Sequence, residues 1–154
     1  MGDDVEIRTE DPDQDDVRAL LAESDDYFAD LYPPEDNHLL DPDSLRGPHV
    51  RFYVARVDGA AVGCGAIVRH ADGSAELKRM FVSPSGRGRK LGARLLATLE
   101  EAAAADGAAC IRLETGNRQP EALGLYHAAG YREIGPFGDY VASPVSLFME
   151  KRLK

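Results

Sequence analysis

The stretch Val82-Ser83-Pro84-Ser85-Gly86-Arg87-Gly88-Arg89-Lys90-Leu91-Gly92 is the most informative part of this 154-residue chain. It joins a strand-like run, Ala75 to Val82, to the most regular helical pattern in the sequence. In that pattern Leu91, Leu95, Leu99 and Ala102 form one stripe, and Gly107 ends it. Three cations, Arg87, Arg89 and Lys90, stand where the helix begins. A helix N-terminus already carries partial positive charge, so cations are repelled there unless an anion lies among them. Gly86, Gly88 and Gly92 let the backbone approach such an anion, and the loop is composed for a phosphate. Neither G-x-x-x-x-G-K-[ST] nor G-x-G-x-x-G occurs, which argues against NTPase and dinucleotide loops.

This cationic loop sits in an acidic chain. With 27 acids against 18 Lys and Arg the net charge is -9 and the sequence pI about 4.9, so the surface as a whole repels nucleic acid and anionic membranes. Residues 1 to 48 hold 16 acids and three bases, whereas residues 77 to 94 hold six bases and no acid. No aromatic residues interleave with those cations, which disfavours nucleic acid as the partner. The excess of Asp over Glu and of Arg over Lys fits a salt-adapted source or a GC-rich genome equally well.

The length and the 44% apolar content suit one domain over residues 1–154. No apolar run approaches the roughly 20 residues of a membrane helix, and the acidic N-terminus lacks the features of a signal peptide. A soluble, cytoplasmic protein is expected. Cys64 and Cys110 are too few for a disulfide framework and read as core residues, and the four histidines show no metal-binding spacing. No metal is expected.

Outward from the loop, Val5 to Thr9 reads as a strand and Asp11-Pro12-Asp13 as the start of a helix carrying Val17, Leu20 and Leu21. A further turn or two of helix around Tyr27 to Leu31 precedes Pro33-Pro34. Asp58-Gly59 and Ala71-Asp72-Gly73-Ser74 divide three apolar runs, Val50 to Val57, Ala61 to His70 and Ala75 to Val82, into an antiparallel meander. Cys110 to Glu114 follows as a strand, Glu121 to Ala129 as a helix closed by Gly130, and Val145 to Arg152 as the last strand. The order is that of a mixed α/β protein.

Two segments carry a family resemblance. Arg87-Gly88-Arg89-Lys90-Leu91-Gly92 is similar to the phosphate-loop signature of the GNAT (GCN5-related) N-acetyltransferases, Arg or Gln, two residues, Gly, one residue, Gly or Ala, with Lys90 in place of the central glycine. Downstream, Ala122-Leu123-Gly124-Leu125-Tyr126-His127-Ala128-Ala129-Gly130-Tyr131 resembles the family's A-x-x-L-Y-x-x-x-G-[FY] stretch. The likeness is good from about residue 50 to 154; the acidic N-terminal third matches only in its strand-helix order.

The resemblance implies the GNAT acyl-CoA N-acyltransferase fold, an α/β (α+β) arrangement. Its mixed, mostly antiparallel sheet is flanked by helices and splayed between strands 4 and 5. It implies transfer of an acetyl group from acetyl-CoA (coenzyme A) to a primary amine of a small molecule or peptide, by direct attack in a ternary complex. The alternative is a non-catalytic acyl-CoA sensor or interaction module of the same fold. Family members often dimerise, so a homodimer is also raised.

Site residues follow by position. The poor alternation around Lys78-Arg79-Met80-Phe81 marks a bulge, and the resemblance assigns thioester contacts to the backbone of Met80, Phe81 and Val82. Arg87, Gly88, Arg89, Lys90, Leu91 and Gly92 are expected at the pyrophosphate, with Asn117 at the cofactor mouth. Tyr126 is the expected general acid at the coenzyme sulfur. Glu76 is the first choice of base, with Glu114 or a water chain as alternatives. Tyr32, Asn37, His38 and Phe137 are candidates for substrate contact, because their loops combine rigid prolines with polar and aromatic side chains, and Glu114, at the end of the fifth strand, is a further candidate. Nothing in the sequence identifies the acceptor amine.

Overall fold

In the computed structural model, which describes residues 4–33 and 41–153, the two runs flanking the Asp58-Gly59 turn pair as antiparallel strands, β2 (Val50–Val57) and β3 (Ala60–Arg69). Both turn residues have positive φ, 50° and 88°, the backbone that a two-residue hairpin requires to match strand twist. β1 (Val5–Thr9) pairs with the free side of β2, and β4 (Ala75–Val82) with the free side of β3, both antiparallel. Helix α2 (Leu91–Ala105) then carries the chain across to β5 (Cys110–Gly116), which lies parallel to β4. After α3 (Pro120–Ala128), β6 (Arg132–Ile134) and β7 (Ser146–Arg152) close the sheet in the order β1-β2-β3-β4-β5-β7-β6. The α/β fold class expected from the sequence is the one observed, with one parallel pair in an otherwise antiparallel sheet.

Strand alternation sends side chains to opposite faces, so each face of the sheet has its own helical cover. Ile67, Leu77, Ile111, Leu113 and Met149 pack against Leu95, Leu96, Leu99 and Ala103 of α2 and Tyr126 of α3. On the other face Phe52, Val54, Cys64, Ala66 and Phe81 pack against Val17, Leu20 and Leu21 of the remaining helix, α1 (Asp15–Leu31). Leu95 and Leu99 are fully excluded from water, which is worth about 2 kcal/mol for each side chain. Both cysteines are buried.

Two features of the sequence reading need correction. α1 is one continuous helix rather than a helix followed by separate turns, because no glycine or proline interrupts Ala22 to Asp26. Its N-cap is Gln14, in extended conformation, so Asp11, Pro12 and Asp13 lie before the helix instead of in its first turn. The three-residue β6, with Arg132 and Glu133 exposed, has too little alternation to be seen in the sequence.

The sheet opens at its centre. β4 and β5 pair only over Ala75–Leu77 and Ile111–Leu113, so the remaining edge of β4 towards β5 has no strand beside it. β4 also bulges: Cys64 opposes Phe81 and Ala66 opposes Lys78, leaving Arg79 and Met80 opposite the single residue Gly65. Arg79 adopts a left-handed φ of 59°, a conformation that costs an L-residue about 1 kcal/mol and needs outside support. Its buried guanidinium donates to Asp25 Oδ1 at 2.5 Å and to the Leu21 carbonyl at 3.4 Å, pinning the bulge to α1. Gly65 matters across from it because a Cβ there would stand 2.7 Å from Leu99 Cδ1, where α2 crosses the sheet.

Candidate active site

The splay and the start of α2 enclose a groove of about 430 Å³. One wall is the loop and first turn of α2, with Arg87, Gly88, Lys90, Leu91 and Gly92; another is Met80, Phe81 and Val82 of β4. A short 3-10 turn, Pro84–Gly86, brings the chain from β4 to this point, and Ser83 N–H donates to the Val62 carbonyl at 2.8 Å to hold the turn against β3. Lys90 is the N-cap of α2, in left-handed conformation with φ 54° and ψ 31°. It gives α2 no side-chain cap, and the first turn contains no acid. No side chain caps the N–H groups of that turn, and Lys90 and Arg87, the latter 3.7 Å from Glu121, stand beside them, which suits a bound anion. Arg89 turns back on the loop, donating to the Ser85 and Arg87 carbonyls, each at 3.4 Å, and does not line the groove.

A smaller cavity of about 90 Å³ opens on the other side of the bulge. Its walls include Tyr32, Glu76, Lys78, Glu114, Tyr140 and Ser146. The two cavities share Phe28, Met80, Gln119 and Tyr126, so they meet at a neck formed by α1, the bulge and α3. Tyr126 is 5% exposed, and burial pushes its phenol well above the ordinary tyrosine range. At neutral pH the hydroxyl therefore keeps its proton.

Glu76 is the buried carboxylate of the small cavity. Its Oε2 accepts from the Tyr140 hydroxyl at 2.5 Å, and Lys78 Nζ donates to the same hydroxyl at 2.5 Å while lying 3.5 Å from Oε2. Its Oε1 lies 2.9 Å from His70 Nε2. Burial, followed by the hydrogen bond to Glu76, pushes the Tyr140 phenol upward, so Tyr140 is a donor to the carboxylate. The sequence reading left Lys78 and His70 out of the site, and it saw Tyr140 only as part of the 135–140 loop offered for substrate contact. Lys78 had a signal, since it follows Glu76 by two residues on one strand and so shares its face. The pairing of Tyr140 with Glu76 had no signal, because it spans 64 residues.

The other expected residues are spread along the cleft. Tyr32 caps α1 through its N–H to the Phe28 carbonyl, and its hydroxyl accepts at 3.1 Å from both the Arg118 N–H and the Gln119 amide. Glu114 lines the small cavity and accepts from the Ser146 hydroxyl at 2.9 Å. Asn117 lines neither cavity; its N–H and side-chain amide bond the Val145 and Pro144 carbonyls at 2.9 and 3.1 Å. Phe137 stands outside the small cavity, against Tyr140 and Phe148 with ring centroids 5.1 and 5.8 Å away. Asn37 and His38 lie outside the described residues. Among the described residues no group of three metal-type ligands gathers, and no helix is long and apolar enough to cross a membrane.

Comparison with known proteins agrees with this architecture. The chain is 49% identical over 150 residues to an IAA acetyltransferase of Azospirillum brasilense, covering 97% of this chain and 98% of the relative. The crystal structure of a candidate acyl-CoA N-acyltransferase from Klebsiella pneumoniae subsp. pneumoniae is 37% identical, with a TM-score of 0.82 over 97% of this chain and 98% of that one. The PaiA N-acetyltransferase of Thermoplasma acidophilum, solved in complex with coenzyme A, shares the fold at 20% identity and a TM-score of 0.74, over 97% of this chain and 99% of that one. Residues 17–131, from the first turn of α1 to the end of the Tyr126 motif, match the acetyltransferase (GNAT) family, and the chain belongs to that family.

Proposed function

We propose that this acetyltransferase moves an acetyl group from acetyl-CoA to a primary amine of a small molecule, by direct attack with donor and acceptor bound together. One observation carries the reading: the groove at the start of α2 and the carboxylate-lined cavity beyond the bulge meet at Tyr126. A donor in one and an acceptor in the other bring their reacting groups to the same neck.

The donor side fits the coenzyme. The uncapped first turn of α2, with Arg87 and Lys90 beside it, offers N–H groups and cations to a diphosphate, and Gly88 and Gly92 leave room for it. Arg89 adds charge at the loop without lining the groove. The unpaired edge of β4 from Met80 to Val82 offers backbone groups to an extended amide-bearing arm. When bound, acetyl-CoA supplies an activated acyl carbonyl.

On the acceptor side, Glu76 takes the proton that an ammonium must lose before it attacks, directly or through the Tyr140 hydroxyl. Glu114 is the second carboxylate in reach of the cavity, and Tyr32 and Ser146 complete its polar wall. Tyr126 holds a proton at neutral pH and is equipped to give it to the departing thiolate. The small volume of the cavity, and the name of the Azospirillum relative, support a small-molecule acceptor.

The test is release of free thiol from acetyl-CoA in the presence of a panel of primary amines. Amine-dependent release is expected for at least one class. Binding of acetyl-CoA by calorimetry, with no release above the amine-free rate for any member of the panel, overturns the reading in favour of a non-catalytic acyl-CoA sensor.

A further inference from the structure

The Glu76 carboxylate faces two cavities. A third cavity, of about 590 Å³, is lined by His70, Asp72, Arg112, Phe137 and Asp139, and shares only Glu76 and Tyr140 with the acceptor-side cavity. Glu76 is thus a partition between them. Its Oε2, with Tyr140 and Lys78, is turned to the acceptor side, and its Oε1 meets His70 Nε2 at 2.9 Å. The Glu76 side chain is 7% exposed, whereas that of His70 is 43% exposed, so the imidazole is open to solvent and the carboxylate is largely covered.

His70 is also held in place. Its N–H donates to the Ser74 carbonyl at 3.0 Å and its carbonyl accepts from Gly73 at 3.1 Å, so the β3–β4 turn fixes the backbone beneath the ring. Asp72 completes the turn by accepting from the Ser74 N–H at 2.9 Å and hydroxyl at 2.6 Å. The ring itself is held by its contact with Glu76 Oε1.

From this geometry we infer that His70 is a positioning residue for the acceptor reaction, holding Oε1 of Glu76 and setting by its own charge how strongly Oε2 draws the amine proton. The inference rests on the reading of Glu76 as the base. With a neutral ring, Nε2–H donates to Oε1 and fixes the carboxylate rotamer without placing a charge beside it. When Nδ1 takes a second proton from solvent, the imidazolium charge adjoins Oε1 and the carboxylate becomes a weaker base. The amine proton passes to Oε2, directly or through Tyr140, and no other bond changes. Because the ring can gain a charge, the contact links acceptor activation to pH.

The surrounding charges are distributed over every element packed here. Lys78 of β4 faces Oε2. Asp72 of the turn lies near His70, Arg112 of β5 sits in register with Glu76, and Asp139 and Tyr140 come from the segment before β7. Glu114 of β5 acts on Tyr140.

The experiment is kcat against pH at saturating acetyl-CoA and amine for wild type, His70→Gln, His70→Ala, Glu76→Gln and His70→Ala/Glu76→Gln. In wild type kcat falls as pH is lowered from 8 to 6. His70→Gln keeps an N–H donor that does not titrate, so its ratio of kcat at pH 6 to kcat at pH 8 rises at least roughly threefold over wild type. His70→Ala loses about tenfold in kcat at pH 8 with KM for acetyl-CoA unchanged, and has no further effect in the Glu76→Gln background. Superimposable pH profiles for wild type and His70→Gln overturn the inference, as does a His70→Ala loss that recurs in full without Glu76. A Glu76→Gln variant with wild-type kcat overturns instead the reading of Glu76 on which the inference stands.

Discussion

The hydroxyl of Tyr32 lies directly over Gly116, in the space that a Cβ on that glycine would occupy. This contact joins the C-terminus of α1 to the end of β5, and the same hydroxyl accepts hydrogen bonds from Arg118 and Gln119 at the start of α3. Three elements that wall the cleft are thus keyed to one phenol. Gly116→Ala forces Tyr32 out of its place, and overpacking of this kind costs about 2 kcal/mol, or roughly 6 °C in Tm. In a Tyr32→Ala background the obstacle is gone, and Gly116→Ala costs less than 0.5 kcal/mol. Equal losses in both backgrounds, read by thermal unfolding, would show that the strain lies elsewhere.

Lys90 stands in the left-handed region at the one loop position where the family pattern has glycine. An L-residue there costs about 1 kcal/mol, part of which glycine regains at the expense of a freer unfolded chain. Lys90→Gly therefore raises stability by about 0.5 kcal/mol, whereas Lys90→Ala, which keeps the strained backbone, does not. Both remove a cation from the groove and weaken acetyl-CoA binding severalfold, more at low salt than at high. Denaturant midpoints that rank Lys90→Ala at or above Lys90→Gly would contradict this account.

The parts of the fold that the sequence displays are those fixed by local chemistry. The Asp58-Gly59 turn sets β2 against β3, and the apolar stripe from Leu91 to Leu99 identifies α2. The broken alternation at Lys78 and Arg79 marks the bulge on which the cleft depends. What the sequence conceals is set by distant closure. Tyr140 gains its meaning only when the segment before β7 folds back over β4, and His70 reads as an ordinary strand end until its ring meets Glu76. Asn117 has the composition of a mouth residue, yet its amide is occupied in tying the end of β5 to Pro144. α1 runs through to Leu31 because its buried face, Val17, Leu20, Leu21 and Ser24, is set by the sheet beneath, and Arg79 reaches up from the bulge to its Asp25.

Tyr126→Phe removes the proton at the neck while keeping the ring that packs on Tyr131, 5.7 Å away between centroids. General acids contribute about 10²- to 10⁴-fold to rate, so kcat should fall by about 10²-fold. KM for acetyl-CoA should change less than about threefold, since the residue acts on the leaving sulfur and not on binding. Stopped thiol release with retained acetyl-CoA binding is the expected pattern. Unchanged kcat removes Tyr126 from the chemistry.

Alkaline unfolding provides a reading of the buried acids. Burial pushes the Cys64 thiol up to about 12, and burial also raises the phenols of Tyr126, Tyr131 and Tyr140 above the ordinary range. Each group's folded value exceeds its unfolded one, so the stability it contributes is complete below the unfolded value and is lost as pH rises through the folded value. The loss begins near pH 8.5 for the thiol and near pH 10 for the phenols, the values of the unfolded groups. Each ionising group adds a slope of up to about 1.4 kcal/mol per pH unit above that point. Urea midpoints measured from pH 7 to 11 should therefore stay level to about pH 8.5 and then fall with increasing steepness. Burial raises the Cys110 thiol as well, so the double variant Cys64→Ala/Cys110→Ala should delay the onset towards pH 10, and Tyr126→Phe should flatten the limb above it. A profile that is level through pH 11 would mean that these groups ionise as easily in the folded chain as in the unfolded one, which contradicts their burial.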